Sequence, residues 1–196
     1  MKILGICGSP TERGSYALLE KTLAGLDEEV ETEILHIADY DLEMCIGCNV
    51  CVKGKECKLD DDLEEIVPKL LETDDFIFSV PSYYGSVPGI LKNFMDRTRY
   101  LKMNDHQLKD KLLGAVATSG LLHGGAQSTI ETVYRFGLTN GMIIVGAAGS
   151  PTSDANMAIA TSQTHDSWQK VQEDELAVEV ANNLGERIVG LLKKFN

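Results

Sequence analysis

The sequence predicts an α/β protein in which helices cover both faces of a doubly wound, five-stranded parallel sheet. Apolar runs alternate with segments of helical periodicity along the whole chain, as in repeated strand-helix-strand units. The runs are apolar at nearly every position, which is typical of parallel strands buried on both faces. With 196 residues, 43% of them hydrophobic, the chain is long enough for one substantial core and too short for two comfortable domains.

The predicted strands and helices follow one another along the chain. The strands cover residues 2–7, 33–37, 75–80, 112–118 and 142–147. The helices cover residues 16–26, 63–72, 89–100, 127–138 and 173–195. In the last helix, apolar residues recur every three or four positions and form one stripe, made by Leu176, Val180, Leu184, Ile188, Leu191 and Phe195. We therefore expect one domain over residues 1–196, with a C-terminal helix at about 167–196.

Two long segments show no regular pattern. Residues 38–58 contain four cysteines, and residues 148–166 are rich in Ser, Thr, Ala and Asn. Structureless loops of this length are uncommon in a compact domain, and many of them are functional.

The composition excludes several classes of partner. The 30 Asp and Glu residues outnumber the 18 Lys and Arg residues, and the resulting net charge of −12 would repel a nucleic acid. Gly8-Ser9-Pro10 interrupts the first apolar run too early for a signal peptide or a membrane span. We therefore expect a cytoplasmic protein. In a reducing cytosol, the clustered cysteines indicate a metal or redox site, whereas Cys7 lies in an apolar run and is expected in the core.

The loop after the first strand has the features of a phosphate site. Ligands of open parallel sheets bind at the carboxyl ends of the strands. Residues 8–15 bring the hydroxyls of Ser9, Thr11 and Ser15 to the start of a helix, whose free N–H groups attract anions, and Arg13 offers a counter-charge. The segment is neither a Walker loop nor GxGxxG, which favours a mononucleotide. An ordinary capped turn is the alternative.

The loop after the third strand predicts a wall for a flat ring. Two adjacent tyrosines stand between prolines and glycines, which let the backbone approach a ligand closely. The loop runs from Pro81 through Ser82, Tyr83, Tyr84, Gly85 and Ser86 to Val87, Pro88 and Gly89. A rigid turn with surface tyrosines is the alternative.

The loop after the fourth strand is rich in hydroxyls and glycine. Backbone donors of residues 118–127 could bind the polar edge of a heterocycle. His123 is a candidate proton donor to a substrate, but a solvated loop residue is the simpler interpretation. The three loops together predict one mononucleotide site.

The spacing Cys45-x2-Cys48-x2-Cys51-x5-Cys57 favours an iron-sulfur cubane. Evenly spaced cysteines wrap three corners of a [4Fe-4S] cluster in bacterial ferredoxins, and a further cysteine takes the fourth corner. Zinc more often takes two separated Cys-x2-Cys pairs. Zinc and the absence of any metal remain as alternatives.

The chain resembles the NAD(P)H-dependent FMN reductase branch of the flavodoxin-like superfamily. The motifs that carry the resemblance are Gly8-Ser9-Pro10, the segment PSYYGSVP at 81–88 and the segment LKNFMDR at 91–97. The resemblance implies a flavodoxin-like fold with bound FMN. It assigns the FMN phosphate to Ser9, Arg13, Ser15 and Tyr16. It assigns the isoalloxazine to residues 81–86, and the other edge of the ring to Ser119, Gly120 and Gly124.

The cysteine motif resembles that of the iron-sulfur flavoproteins of archaea and bacteria. That resemblance implies a homodimer or homotetramer in which each cluster lies near the flavin of a neighbouring subunit. It leads to the hypothesis that electrons from a ferredoxin-like donor pass through the cluster to FMN and on to a small acceptor, such as a quinone or an oxygen species.

Two other functions remain open. One is an NAD(P)H-dependent FMN or quinone reductase without a cluster, in which NAD(P)H is the donor. The other is a non-catalytic binding protein with a zinc-stapled loop.

Overall fold

The structure is a computed structural model, which describes residues 1–152, 155–163 and 168–195. Its strands are β1 (Lys2–Cys7), β2 (Glu31–His36), β3 (Asp75–Pro81), β4 (Leu112–Ser119), β5 (Ile143–Ile144) and β6 (Ala158–Thr161). Its helices are α1 (Gly14–Ala24), α2 (Leu63–Glu72), α3 (Gly89–Arg97), α4 (Arg99–Met103), α5 (Ala126–Thr139) and α6 (Glu175–Phe195). Short 3-10 turns cover Ile37–Asp39, Cys51–Lys53 and Trp168–Glu173.

The sheet is parallel and doubly wound, which confirms the predicted fold class. Its strand order is β2-β1-β3-β4-β5, and β6 also pairs with β4. Buried side chains of α2, α3, α4 and α5 form a core on one face of the sheet. Buried side chains of α1 and α6 form a second core on the other face. Because β1 and β3 are neighbours and β4 follows, the three predicted ligand loops leave the same edge of the sheet.

The fifth position of the sheet differs from the prediction. Of the run 142–147, only Ile143–Ile144 forms a strand, and it pairs with the first two residues of β4. The chain then leaves the sheet and returns as β6, which pairs with Val116 to Ser119 of β4. Strand β6 lies inside the segment 148–166 that was expected to be irregular. It has four residues, two of them alanine, so it does not form an apolar run that would predict a strand.

The helices begin and end close to the predicted residues, with differences that have local causes. The predicted helix 89–100 is divided at Thr98, whose hydroxyl donates to Met95 O at 3.1 Å. At the C-terminus, a 3-10 turn precedes α6. The middle of the α6 stripe is buried as expected, whereas Leu176 and Phe195 at its two ends are exposed. Within the described part of the chain, no helix is long and apolar enough to cross a membrane.

Candidate flavin site and cysteine centre

The candidate phosphate-binding loop, residues 8–15 and called the phosphate loop below, leads into α1, and no side chain caps the start of this helix. Arg13 occupies the N-cap position without a side-chain hydrogen bond, so the first N–H groups of α1 remain available to an anion. Ser9 and Ser15 are 4% exposed. The Ser9 hydroxyl donates to Thr11 O at 2.7 Å and shapes the loop. Ser15 Oγ lies 2.7 Å from Thr118 Oγ1, which ties the helix start to the end of β4.

One cavity joins the three predicted loops. It is lined by Ser9, Thr11, Arg13, Gly14, Ser15, Pro81, Ser82, Tyr83, Thr118, Ser119, Gly120 and Val171. The first loop contributes hydroxyl groups and the free N–H groups at the start of α1, and the second loop contributes the ring of Tyr83. This distribution fits a ligand with a phosphate group and a flat ring.

Five of the predicted contacts lie outside the lining of this cavity. Tyr16 packs edge-on against the His36 ring, with 5.4 Å between centroids. Tyr84 is fully exposed at the tip of a tight turn, in which Tyr83 N donates to Ser86 O at 2.9 Å. Gly85 has a φ of +74° in that turn. Gly124 O accepts a hydrogen bond of 2.6 Å from Ser82, and so joins the second and third loops.

Some lining residues were missed by the sequence reasoning. Gly14 and Thr118 are sequence neighbours of predicted residues, so including the residues next to each loop would have identified them. Val171 comes from the 3-10 turn before α6, far along the chain, and is 2% exposed. No local signal marks it. His123 is exposed and does not line the cavity, so no contact supports it as a proton donor to a ligand there.

The four cysteines of the long loop converge on a second cavity. Cys45 and Cys48 are exposed, Cys51 and Cys57 are half-buried, and all four line the cavity with residues of α3 and α4. Gly47, Asn49 and Gly54 have left-handed φ angles of 63°, 58° and 69°, which let the chain curl around it. Cys7 lies elsewhere, in the core as predicted, and burial raises the pKa of its thiol to about 11.

Helix α3 holds in place the long segment of residues 38–58 that contains the four cysteines, called the cysteine loop below. Asn93 accepts a hydrogen bond from Cys45 N at 3.2 Å, and its amide donates to Leu42 O and Glu43 O, each at 3.1 Å. Arg97 is 2% exposed and approaches Cys57 Sγ at 3.6 Å. The motif LKNFMDR therefore anchors the loop, a role that its sequence alone did not reveal.

Arg97 and Asp61 form a buried, bidentate ion pair behind the cysteines. Arg97 Nη2 donates to Asp61 Oδ1 at 2.9 Å, and Nη1 donates to the other carboxylate oxygen. Burial opposes both charges, yet the pair raises the pKa of Arg97 and lowers the pKa of Asp61. Asp61 also accepts from the backbone N–H groups of Glu43 and Leu63, at 2.9 and 3.2 Å.

The four sulfur atoms are not arranged as a preformed tetrahedral zinc site. Zn–S bonds of about 2.3 Å place tetrahedral thiolates about 3.8 Å apart. Among the described residues, the one group of three or more potential ligand atoms within 4.8 Å is Glu12, His36 and Asp39. No three of the cysteine sulfurs come that close. Four thiols therefore line one cavity without forming a closed tetrahedral set, and their number is the one that a cubane would need.

The two cavities share no lining residue, and α3 connects them. A Cβ added to Gly8 would meet Leu91 Cδ2 of α3 at 2.6 Å, so the first loop lies directly on this helix. Asn93 and Arg97 of the same helix hold the cysteine loop. A shift of α3 would therefore move both the phosphate loop and the cysteine loop.

Comparison with known proteins agrees with this geometry. The family model for NADPH-dependent FMN reductase matches residues 1–156. An iron-sulfur flavoprotein of Archaeoglobus fulgidus is 35% identical, covering 96% of this chain and 94% of its own. One from Methanocaldococcus jannaschii is 37% identical, covering 98% of each.

Solved structures with low sequence identity share the fold. A NAD(P)H:quinone oxidoreductase from Methanothermobacter marburgensis has a TM-score of 0.69 at 16% identity, covering 96% of this chain and 98% of its own. A WrbA-like flavodoxin from Agrobacterium tumefaciens has a TM-score of 0.66 at 17% identity, covering 100% and 99%.

The fold and the site define a flavodoxin-like, flavin-dependent oxidoreductase. The chain belongs to the iron-sulfur flavoprotein family, within the NADPH-dependent FMN reductases.

Proposed function

We propose that the protein carries FMN and a [4Fe-4S] cluster and passes electrons from a ferredoxin-like donor to a small acceptor, such as a quinone or an oxygen species. The observation that carries the proposal is the convergence of Cys45, Cys48, Cys51 and Cys57 on one cavity, held by the helix that also lies under the phosphate loop. The names of the relatives, iron-sulfur flavoproteins, support the same assignment.

The chain's own residues would hold FMN by its phosphate and its ring. The N–H groups at the start of α1 and the hydroxyl of Thr11 would bind the phosphate, with Arg13 as its counter-charge, whereas the Ser9 hydroxyl already donates to Thr11 O and would only shape the loop. Tyr83 and the backbone of Pro81 and Ser82 would line the ring. Bound flavin supplies chemistry that accepts electrons singly or in pairs.

The net reaction balances with a one-electron donor and a two-electron acceptor. Two reduced ferredoxin molecules give up one electron each, and a quinone takes both electrons with two protons from solvent to become the hydroquinone.

A cationic groove beside the cysteine cavity supports an acidic protein as the donor. It lies between α3, α4 and α5, and its lining includes Met95, Met103 and Phe136. Of its four cations, Lys92 is paired with Asp96 and Arg135 with Glu131, whereas Arg99 and Lys102 have no carboxylate partner among the described residues. Arg99 and Asp96 line both the groove and the cysteine cavity. On a chain with a net charge of −12, this positive surface would attract an acidic carrier and orient it.

Exposed apolar side chains in the cysteine loop support a homodimer or homotetramer. Met44, Ile46 and Val52 are 77%, 59% and 52% exposed. Such a patch is unusual on a monomer and would be buried against another copy of the chain. A cytoplasmic location stays a prediction.

An anaerobic absorption spectrum with metal analysis tests the two cofactors. We expect flavin bands on a broad shoulder that bleaches on reduction, with about four iron atoms and four sulfides per chain. One zinc and no iron would contradict the cluster, and absence of flavin bands would contradict the FMN site.

A second function is favoured by the family match to NADPH-dependent FMN reductase. In it, NAD(P)H reduces FMN directly and the cysteines carry no electrons. Steady-state oxidation of NADPH or NADH without a carrier protein, at the same rate after substitution of the loop cysteines, would establish it.

A further inference from the structure

His36, Glu12 and Asp39 bring three ligand atoms together beside the phosphate loop. His36 ends β2, Asp39 lies in the 3-10 turn that follows, and Glu12 belongs to the phosphate loop itself. Their ligand atoms all lie within 4.8 Å of one another. His36 Nδ1 is 3.1 Å from Asp39 Oδ1 and 3.8 Å from Glu12 Oε1.

The other ring nitrogen of His36 already has a partner outside this group. The side chain is 5% exposed, and Nε2 lies 2.9 Å from Ser9 O. A carbonyl oxygen only accepts hydrogen bonds, so Nε2 must carry the proton. In the neutral ring, Nδ1 then presents a lone pair to two carboxylates, and three acceptors face one another without a donor.

This arrangement is that of a metal-binding histidine. A histidine that binds a metal through one nitrogen almost always donates its other N–H to a carbonyl, a carboxylate or water, which fixes the ring. Ligand atoms 3.1 and 3.8 Å apart leave room for a shared cation at about 2.1 Å from each. Glu12 and Asp39 are 63% and 61% exposed, so a cation could reach the site from solvent and keep water ligands.

We propose that His36 Nδ1, Asp39 and Glu12 bind a divalent metal cation, of the class of Mn²⁺, Fe²⁺ or Zn²⁺. One imidazole nitrogen and two carboxylate oxygens suit these ions better than a soft cation. The bound cation holds Glu12 and the Ser9 carbonyl in place, and it adds positive charge beside the phosphate loop. It therefore strengthens FMN binding, and FMN strengthens cation binding by the same factor.

Mn²⁺ is the probe for this site, because the thiols of the cysteine loop are soft ligands that discriminate against it. Electron paramagnetic resonance measures free Mn²⁺ in titrations of the FMN-loaded protein. We expect one bound ion per chain, and an affinity at least about tenfold weaker in Glu12→Gln. Glu20→Gln removes an exposed carboxylate of α1 and serves as the matched control.

The dissociation rate of FMN provides the second measurement. It should fall when Mn²⁺ is added to the wild type and stay constant in Glu12→Gln. Lack of Mn²⁺ binding, or equal affinity in the two variants, would overturn the site and leave His36 hydrogen-bonded to Asp39 without a metal. Binding of Mn²⁺ without any effect on FMN release would overturn the link to the phosphate loop.

Discussion

Asp75 shows how one buried carboxyl makes stability depend on pH. It is 2% exposed, Oδ1 accepts from Leu112 N at 2.6 Å, and among the described residues Oδ2 has no hydrogen-bond partner. Burial raises the pKa of Asp75 to about 6. The unfolded chain loses this proton near pH 3.9. The folded state therefore binds more protons between these values, and stability falls as pH rises from about 4 to about 6.

Asp75→Asn should remove this loss of folding stability at higher pH, because asparagine carries no titratable group. We expect the variant to gain up to about 3 kcal/mol of unfolding free energy at pH 7, and nothing below pH 4. Urea unfolding at several pH values measures the difference. Asp105→Asn, at an exposed position, is the control. A constant difference between pH 4 and pH 7 would show that the charge of Asp75 is not its cause.

Arg97 of α3 supports the cysteine loop through its contacts with Cys57 and Asp61. Arg97→Lys keeps the charge but loses the planar fork that binds Asp61, so the buried carboxylate is left poorly paired. We expect a loss of about 3 kcal/mol of stability, and at most half the iron per chain after reconstitution. Full iron content with wild-type stability would be the contrary result. Arg135→Lys makes the same arginine-to-lysine substitution at an exposed side chain and serves as the control.

Residues of the phosphate loop could be predicted, because hydroxyls and glycines before a helix have a local meaning. Ser9, Thr11, Arg13 and Ser15 all line the cavity. The roles of Asn93 and Arg97 could not be predicted in this way. Their partners lie 48 and 36 positions away, and only the fold brings them together.

At the scale of elements, α3 links the two candidate sites. Gly8→Ala should push the phosphate loop away from Leu91, because the added Cβ would lie 2.6 Å from Leu91 Cδ2. We expect FMN to bind at least about tenfold more weakly, with about 1–3 kcal/mol less stability. FMN affinity is measured by quenching of flavin fluorescence.

Gly190→Ala is the matched control for this change. Its Cβ would meet nothing within 4 Å in α6. A helix interior gains about 1 kcal/mol from alanine, so this variant should be slightly more stable and bind FMN normally. Equal FMN affinity in both variants would contradict the contact between the phosphate loop and α3.

Long periodic elements were predictable, and the edge of the sheet was not. The central strands β1, β3 and β4 are continuous apolar runs and were placed within a residue or two. At the edge, β5 and β6 together occupy the place of one strand. Pairing of two short segments with the same neighbour is a tertiary event that leaves no period in the sequence. Of the segment 148–166 that is predicted to be irregular, residues 153–154 and 164–166 lie outside the described residues.

The molecule as a whole is acidic, and the cationic groove between α3, α4 and α5 is a local exception. Arg99→Glu should slow reduction by reduced ferredoxin about tenfold at low ionic strength, and the difference should vanish at high salt. Stopped-flow kinetics over a salt series measures the effect. Lys194→Glu makes the same charge change at an exposed position of α6, on the opposite face of the sheet. Equal slowing in both variants would indicate net charge rather than docking at the groove.

The central claim is that electrons reach FMN through the centre held by the loop cysteines. The most direct test is anaerobic reduction of the flavin by reduced ferredoxin, in the wild type and in Cys48→Ala. Chemical reduction by dithionite checks that the flavin of each protein is intact, and Cys7→Ala controls for loss of a cysteine from the core. We predict that Cys48→Ala abolishes ferredoxin-dependent flavin reduction and leaves reduction by dithionite unchanged. Flavin reduction by ferredoxin at the wild-type rate in Cys48→Ala would contradict the claim.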